Sequence, residues 1–438
     1  MTSYESFRQK AAEEQKSNRV SRRRQRLPVD PASDPYAIPL AELNVANPEL
    51  FKEDAAFGYF KRLREEAPVH YCANSQYGPY WSITRYHDIL LVDRDHENFS
   101  SDHMLGGVTL MGTVQSSSDI PMFIQMDPPV HDAQRKVVAP AFTQRKLQEL
   151  ESTIRERASA ILDGLPRNET FNWVEHVSVE LTAQMLATLL DVPQADRHKI
   201  IAWSNVFANA DNPEVVASKA DYYIAQAECG EYFQALWQDR LTGAPGGDLL
   251  SMLAHGEQTR SMSPQELLGN IILLVVGGND TTRNSISGGL HALNEFPEQY
   301  EKLRSNPALI KSMVPEIIRW QTPLMHMRRT ALKDVEMHGQ KINAGDKVVI
   351  WYLSGNRDPT AIDKPDEFII DRARPREHLS FGFGIHRCLG NRLAELQLQV
   401  LWEEILNRFS AVEVVGEPRR VSSCLFRGIT DLPVRIAA

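Results

Sequence analysis

The sequence is poor in cysteine and has no long apolar run. Its four cysteines, Cys72, Cys229, Cys388 and Cys424, stand far apart among 438 residues and form no CxxC pair. Neither a disulfide framework nor a CxxC zinc site can be drawn from them, and a reducing compartment is expected. The most apolar short stretch, residues 271–276, falls well below the roughly 20 residues that a bilayer-spanning helix needs. The opening M-T-S-Y-E-S-F-R-Q-K lacks the apolar core of a secretory signal. Basic charge is also scarce: 48 Lys and Arg against 57 Asp and Glu give a net charge of −9. That balance argues against a nucleic-acid binder and for a soluble protein, which together with the cysteine pattern and the missing signal and span is expected to be cytoplasmic. Signature strings of other chemistries are missing too, with no H-E-x-x-H, P-loop or G-x-S-x-G. Gly382-Phe383-Gly384 lacks the third glycine of a dinucleotide-binding fingerprint.

Apolar residues make up 42% of the chain, enough for a sizeable core. Residues 1–35 are polar, with a basic cluster at 19–26, and read as a mobile solvated tail. Residues 36–438 read as one domain. Periodicity predicts helices over 57–66, 143–165, 173–190, 196–209 and 218–242. Strands are predicted over 69–71 and 80–84, and over 335–337 and 347–351, the latter two joined through Gly339 and Gly345 as the main small sheet. Residues 100–125 read as a long loop whose apolar side chains, among them Met104, Leu105, Val108, Leu110 and Met111, suit a greasy ligand.

One helix is predicted to dominate. Ser263-Pro264-Gln265-Glu266 is a capping box with proline at the first helical position, and Pro297 stops the pattern. A helix of that length crosses a whole domain. Its centre reads V-G-G-N-D-T-T, although each mid-helix glycine costs about 1 kcal/mol against alanine. Leu274, Gly278, Thr281 and Ser285 share one face. A flat group pressed against the glycine would face the Thr281 hydroxyl; close helix packing, with Thr281 and Thr282 bonding back to carbonyls, is the plainer reading.

Residues 381–390 read F-G-F-G-I-H-R-C-L-G. Glycines there permit backbone angles closed to other residues and close approach of a large flat group. Cys388 lies just before a predicted helix, whose positive end favours a thiolate, the metal-binding form. His131 and Arg135, in M-D-P-P-V-H-D-A-Q-R-K, are spaced i, i+4 and share a helix face. Glu316 and Arg319 are an i, i+3 acid–base pair, preceded by Pro315, which is expected to kink or restart its helix.

Taken together, Phe381, Gly384, His386, Cys388 and Gly390 resemble the haem-binding loop of cytochrome P-450 enzymes. Other strings resemble the same family across roughly residues 36–438: G-G-N-D-T-T at 277–282, E-I-I-R at 316–319 and D-P-P-V-H-D-A-Q-R at 127–135. The resemblance implies a mainly α fold with a small β region, an α+β cytochrome P-450 fold. It implies haem b (iron protoporphyrin IX) as cofactor, with Cys388 as the metal ligand. His131, Arg135, Arg329 and His386 would hold the propionates, with Arg328 an alternative to Arg329; Gly278, Phe381 and Gly390 would also face the cofactor. Asp280 and Thr281 would be the proton-delivering pair. Glu316, Arg319 and Arg372 would form a structural ion-pair triad.

The strings G-G-N-D-T-T-R-N-S, M-V-P-E-I-I-R-W-Q-T-P and H-M-R-R-T-A look like one bacterial subfamily that hydroxylates the terminal carbon of medium-chain alkanes and related aliphatic chains, including fatty acids. Leu105, Val108, Leu274, Leu324, Met325 and Leu425 are the candidate walls of its substrate channel. The family implies O₂ as co-substrate and electrons from a 2Fe–2S ferredoxin with a separate NAD(P)H-dependent reductase. Arg135, Lys136, Arg145, Lys146 and Arg392 are the candidate basic face for that donor. Two other readings remain open: a monooxygenase of terpenoids or other compact hydrophobes, and a haem-thiolate sensor without turnover, against which the acid–alcohol pair speaks.

Overall fold

The computed structural model describes residues 4–16, 30, 32–112 and 120–437. In chain order, helix α1 (Glu5–Lys16) is followed by α2 (Ala56–Glu66), strands β1 (Val69–Cys72) and β2 (Tyr80–Ile83), helix α3 (Tyr86–Arg94) and the short strand β3 (Phe99–Ser100). Helices α4 (Val130–Val138) and α5 (Gln144–Asp163) come next. A π-helical stretch over Val174–Val179 runs into α6 (Glu180–Leu189), then α7 (Arg197–Ala208), α8 (Lys219–Thr242) and α9 (Pro264–Glu295). Helix α10 (Ile310–Gln321) leads to strands β4 (Met327–Ala331), β5 (Val335–Met337), β6 (Gln340–Ile342) and β7 (Lys347–Ile350). Helix α11 (Asn391–Arg408) follows the cysteine loop.

The 32-residue α9 is about 48 Å long at 1.5 Å per residue, and α6, α7, α8, α10 and α11 all pack on it. Its capping box forms as the sequence predicts: Ser263 accepts from the Glu266 N–H, and the Glu266 carboxylate accepts from the Ser263 N–H. Near its C-terminal end the glycines serve close approach. A Cβ on Gly288 would lie 2.1 Å from the Gln321 side chain, and one on Gly289 would lie 2.8 Å from Ile317. Alanine at either position would force α10 away. Pro315 sits inside α10 without breaking it.

Four expectations need correction. Residues 4–16 are not a solvated tail: α1 docks on α8 with Tyr4, Phe7 and Ala11 buried. The basic cluster at 19–26 lies outside the described residues. The strands at 335–337 and 347–350 do not pair. β5 turns back on β6 as a two-stranded hairpin, whereas β7 enters a five-stranded sheet of order β1-β2-β7-β4-β3, parallel to β2 and antiparallel to β4. The turn at Gly339 (φ 72°) closes the short hairpin, so β7 is free to pair elsewhere. The segment at 173–190 opens with a π-helical turn rather than a uniform α-helix. In the 100–125 stretch, residues 103–105 and 123–125 form 3-10 turns, and 113–119 lie outside the described residues.

Candidate active site

A largely apolar cavity of about 1300 Å³ lies between the middle of α9 and the cysteine loop. The loop turns at Gly382 (φ 63°) and Gly384 (φ 66°), which only glycine adopts without strain. A Cβ on Gly384 would also sit 2.5 Å from the Asp93 carbonyl oxygen of α3. The Cys388 N–H closes the loop by donating to the Phe381 carbonyl at 2.8 Å. Cys388 is open to the cavity but surrounded by the body of the molecule. Burial pushes its thiol pKa up, opposed by N–H groups of Gly390 and Asn391 and by Arg135 and Arg387. The backbone donors expected to favour a thiolate are therefore in place. On balance burial wins, so a bound cation is what would turn the thiol into a thiolate.

Donor groups converge beside it. His131, Arg135, Arg329 and His386 all line the cavity. The rings of His131 and His386 meet edge to face, with centroids 4.3 Å apart. His131 Nε2 and both ring nitrogens of His386 are buried without a partner among the described residues. Burial lowers the pKa of both, that of His386 well below its usual value. Orphaned buried nitrogens are costly. Beside two guanidinium groups they fit a ligand that brings acceptor oxygens, as a pair of carboxylates does. The strand β4 decides between its adjacent arginines. Arg329 faces the cavity, whereas Arg328 donates to the carbonyls of Leu105, Gly106 and Gly112.

On α9, Leu274, Gly277, Gly278, Thr281 and Ser285 line the opposite wall. A Cβ on Gly278 would touch Leu186 at 3.2 Å, while one on Gly277 would meet nothing within 4 Å. The open space for a flat group thus lies over Gly277, which the sequence reading passed over in favour of its neighbour. The helix is unbroken here, and the Thr281 hydroxyl donates back to the Gly277 carbonyl at 2.9 Å. Asp280 does not line the cavity. It is buried toward α7, accepting from the Ser204 hydroxyl at 2.7 Å and pairing with the Arg283 guanidinium. Phe381 and Gly390 line the cavity as expected.

Of the candidate substrate walls, Val108, Leu274, Leu324 and Leu425 line the cavity. Leu105 and Met325 do not. Leu105 is 38% exposed, and Met325 is fully buried in the cluster around Trp351 and Cys424. Met325 alternates with Leu324 in an extended stretch and so points away from the cavity, whereas Leu105 ends a 3-10 turn that leaves it partly in solvent. Met111 of the apolar 100–125 stretch lines the chamber as expected, and Phe207, Val276 and Phe426 line it without having been expected there. Phe207 follows from no local signal, because α7 reaches the cavity only through its packing on α9.

Comparison with known proteins agrees with this geometry. The cytochrome P-450 family pattern matches residues 246–425. Over 400 residues the chain is 36% identical to linalool 8-monooxygenase of Pseudomonas putida, covering 89% of this chain and 98% of that one. The chain is a cytochrome P-450. It is 32% identical to the methyl-branched lipid omega-hydroxylase of Mycobacterium tuberculosis, over 91% of this P-450 and 96% of the relative. Among solved structures, CYP153D17 from Sphingomonas sp. PAMC 26605 superposes with a TM-score of 0.85 at 45% identity, covering 90% and 99% of the two chains. A Mycobacterium marinum P-450 in complex with pseudoionone superposes with a TM-score of 0.83 at 31% identity, covering 91% and 99%.

The P-450 is thus a haem-thiolate monooxygenase with haem b as cofactor. Its ion-pair triad lies behind the cysteine loop. Glu316 accepts from Arg319 at 2.8 Å and from Arg372 at 2.9 Å, and Arg319 also donates to the carbonyls of Asn356 and Pro365. Burial raises the Glu316 pKa, but hydrogen bonds from Arg319 and Arg372 outweigh it, and the carboxyl stays below its usual range. Among the described residues no helix is long and apolar enough to cross a membrane.

Proposed function

We propose that this P-450 hydroxylates the terminal methyl of medium-chain alkanes or fatty acids, drawing electrons from a 2Fe–2S ferredoxin. The lining of the cavity supports this most. Its lining includes Val108, Met111, Leu274, Leu324, Leu425 and Phe426, which offer a long apolar chain dispersion contacts and little hydrogen bonding. The relative named as an omega-hydroxylase and the likeness to CYP153D17 point the same way. A terminal C–H bond is stronger than its CH₂ neighbours. The walls must therefore present only the chain end.

In this reading Cys388 would ligate the iron, and His131, Arg135, Arg329 and His386 would anchor the propionates. When bound, the haem supplies the oxygen-activating chemistry. The Thr281 hydroxyl, which lines the cavity one turn from Gly277, would hold a proton donor at the reacting end of the chamber. Asp280 passes protons inward from the Ser204–Arg283 side. Glu316, Arg319 and Arg372 hold the scaffold. For the electron donor, Lys136, Arg145 and Arg392 are exposed. Arg145 and Lys146 are both drawn to Glu149, and Arg135 turns into the cavity, so the basic face is smaller than the sequence suggested. Widely spaced cysteines fit a cytoplasmic setting, and residues 36–438 act as one catalytic unit with α1 docked on it.

A second reading, oxidation of terpenoids, is favoured by the linalool-oxidising relative and the pseudoionone-bound neighbour. The test is a spectral titration of the haem spin state with n-octane, lauric acid and linalool, followed by product analysis with a reconstituted ferredoxin system. Tight spin-state shifts with the linear probes and terminal alcohols as products support the first reading. Shifts with linalool alone overturn it.

A further inference from the structure

The segment at 323–330 bonds to two loops that both contribute to the lining of the chamber. Toward the 105–112 loop, the Arg328 N–H donates to the Val108 carbonyl at 2.7 Å, and the Leu110 N–H donates to His326 Nε2 at 3.2 Å. Toward the 424–427 loop, the Met325 N–H donates to the Leu425 carbonyl at 2.9 Å, and His326 Nδ1 donates to the Cys424 carbonyl at 2.8 Å. Val108, Thr109, Met111 and Gly112 of the first loop line the cavity, as do Leu425 and Phe426 of the second. His326 itself is fully buried, with its ring against Trp351 at 4.9 Å.

The pattern of donors assigns the ring's form. Nε2 accepts from an amide, so it carries no proton; Nδ1 carries the proton and donates. A charged ring would lose the acceptor. Burial lowers the His326 pKa to about 4, which keeps the ring neutral at working pH. Arg328, two residues on, holds the first loop alone, through three carbonyls. His326 is therefore the side chain of this segment whose two ends bond to different walls.

We propose that His326 is a positioning residue for selectivity: its imidazole staples the 105–112 loop to the 424–427 loop and so sets the width of the substrate chamber. The proposal rests on reading the cavity as that chamber, and not on which aliphatic substrate fills it. A residue that merely filled space would be replaced by phenylalanine without consequence for the two loops. A staple would not, because both ring hydrogen bonds would be lost and the buried Leu110 N–H would lose its acceptor.

The experiment compares His326→Phe, His326→Gln and Arg328→Met as holoenzymes. Hydrogen exchange is followed in peptides covering 105–112 and 424–427, and the positional isomers formed from lauric acid are measured by gas chromatography. In His326→Phe, exchange should rise in both loops together while α9 is unchanged. The isomer ratio should shift by roughly fivefold, the weight of about one neutral hydrogen bond. His326→Gln, which keeps a donor and an acceptor, should recover much of the wild-type ratio. Arg328→Met should loosen 105–112 alone. Unchanged exchange in either loop of His326→Phe, or an unchanged isomer ratio, would overturn the proposal. If His326→Phe yields no folded holoenzyme, the other two decide: His326→Gln must hold both loops near wild type and Arg328→Met must leave 424–427 untouched, and failure of either overturns it. Mainly subterminal products from the wild type would instead count against terminal hydroxylation and leave the staple standing.

Discussion

Arg329 and Asp93 form a buried ion pair, with Nη2 2.6 Å from Oδ1. The other oxygen of Asp93 accepts from the Phe383 N–H at 2.7 Å and from the Tyr352 hydroxyl at 2.9 Å. One carboxylate thus fixes both a cavity-facing guanidinium and the cysteine loop. Burial pushes the Asp93 pKa up, opposed by Arg329 and by the two hydrogen bonds. Neither partner tolerates losing the other, because a buried charge left alone is costly.

Asp93→Ala should consequently destabilise the protein by about 3–5 kcal/mol, the usual cost of breaking a buried pair. It should also speed haem transfer to an acceptor protein, since Arg329 and the loop at 381–390 both lose their anchor. Thermal melting and the rate of haem loss measure the two effects. A variant with wild-type haem retention would show that Asp93 does not order the site.

Asp93 also marks where sequence reading ends. Cys388, His386, His131 and Arg135 sit in two short strings whose spacing carries the chemistry, and all four reach the cavity. The long helix was legible from its capping box and terminal proline. Asp93 has no such context: its partners lie 236 and 290 residues away, and its own helix reads as an ordinary amphipathic turn. The docking of α1 was hidden for a related reason, since three apolar residues in a polar stretch give too narrow a stripe to announce a contact. Strand pairing was lost where β5 and β7 looked like neighbours, because period-two patterns specify faces and not partners.

Proton delivery is tested at α9. Thr281→Ala removes the hydroxyl that lines the cavity but leaves the apolar walls, so substrate affinity should hold while hydrogen peroxide formed per NADH rises several-fold. Asp280→Asn keeps the Ser204 contact but loses charge pairing with Arg283, and should slow turnover more than it weakens binding. Product and peroxide yields per NADH decide; equal coupling in Thr281→Ala would remove that hydroxyl from the mechanism.

Helix α1 should stabilise α8. Tyr4 packs so closely on Gly230 that a Cβ there would lie 2.3 Å from its ring, and its hydroxyl donates to the Pro264 carbonyl at the start of α9. Burial of an aromatic such as Phe7 contributes about 1.5–3 kcal/mol. Removing residues 1–16 should lower the melting temperature by several degrees and raise hydrogen exchange in α8 selectively. Exchange unchanged in α8 would make α1 a passive appendage.

Acid stability carries a definite sign. His326 and His378 are held down to about 4 and about 3 by burial. Unfolded, each titrates near 6.5, so above that pH neither affects the balance. As pH falls below 6.5 the unfolded chain takes up protons that the folded one refuses. Each group then costs up to about 1.4 kcal/mol per pH unit, levelling off below its folded pKa. His326→Gln lacks this penalty. Its stability deficit at pH 7.5 should shrink between pH 6.5 and 4.5, and a deficit constant with pH would show that the buried ring is already charged.

Terminal selectivity must come from the walls of the chamber. Weaker CH₂ bonds win unless geometry keeps them away from the reaction centre, so the walls and not bond strengths must choose the carbon. Val108 lines the chamber from the 105–112 loop that His326 holds, and Leu324 lines it from the His326 segment itself, where its backbone bridges to Phe426 of the 424–427 loop. Leu324→Ala or Val108→Ala removes two or three buried carbons from that wall. The new space admits a bent chain, and dispersion contacts that favoured the extended one are lost. The subterminal share of alcohols from n-octane or lauric acid should rise in both variants, by roughly three- to tenfold for about 1 kcal/mol of lost discrimination. Gas chromatography of the alcohols reads it directly. Wild type that already gives mainly subterminal products at every chain length would end the terminal-hydroxylase reading while leaving the haem monooxygenase intact. A terminal ratio unmoved by either substitution would place the selecting wall elsewhere in the chamber.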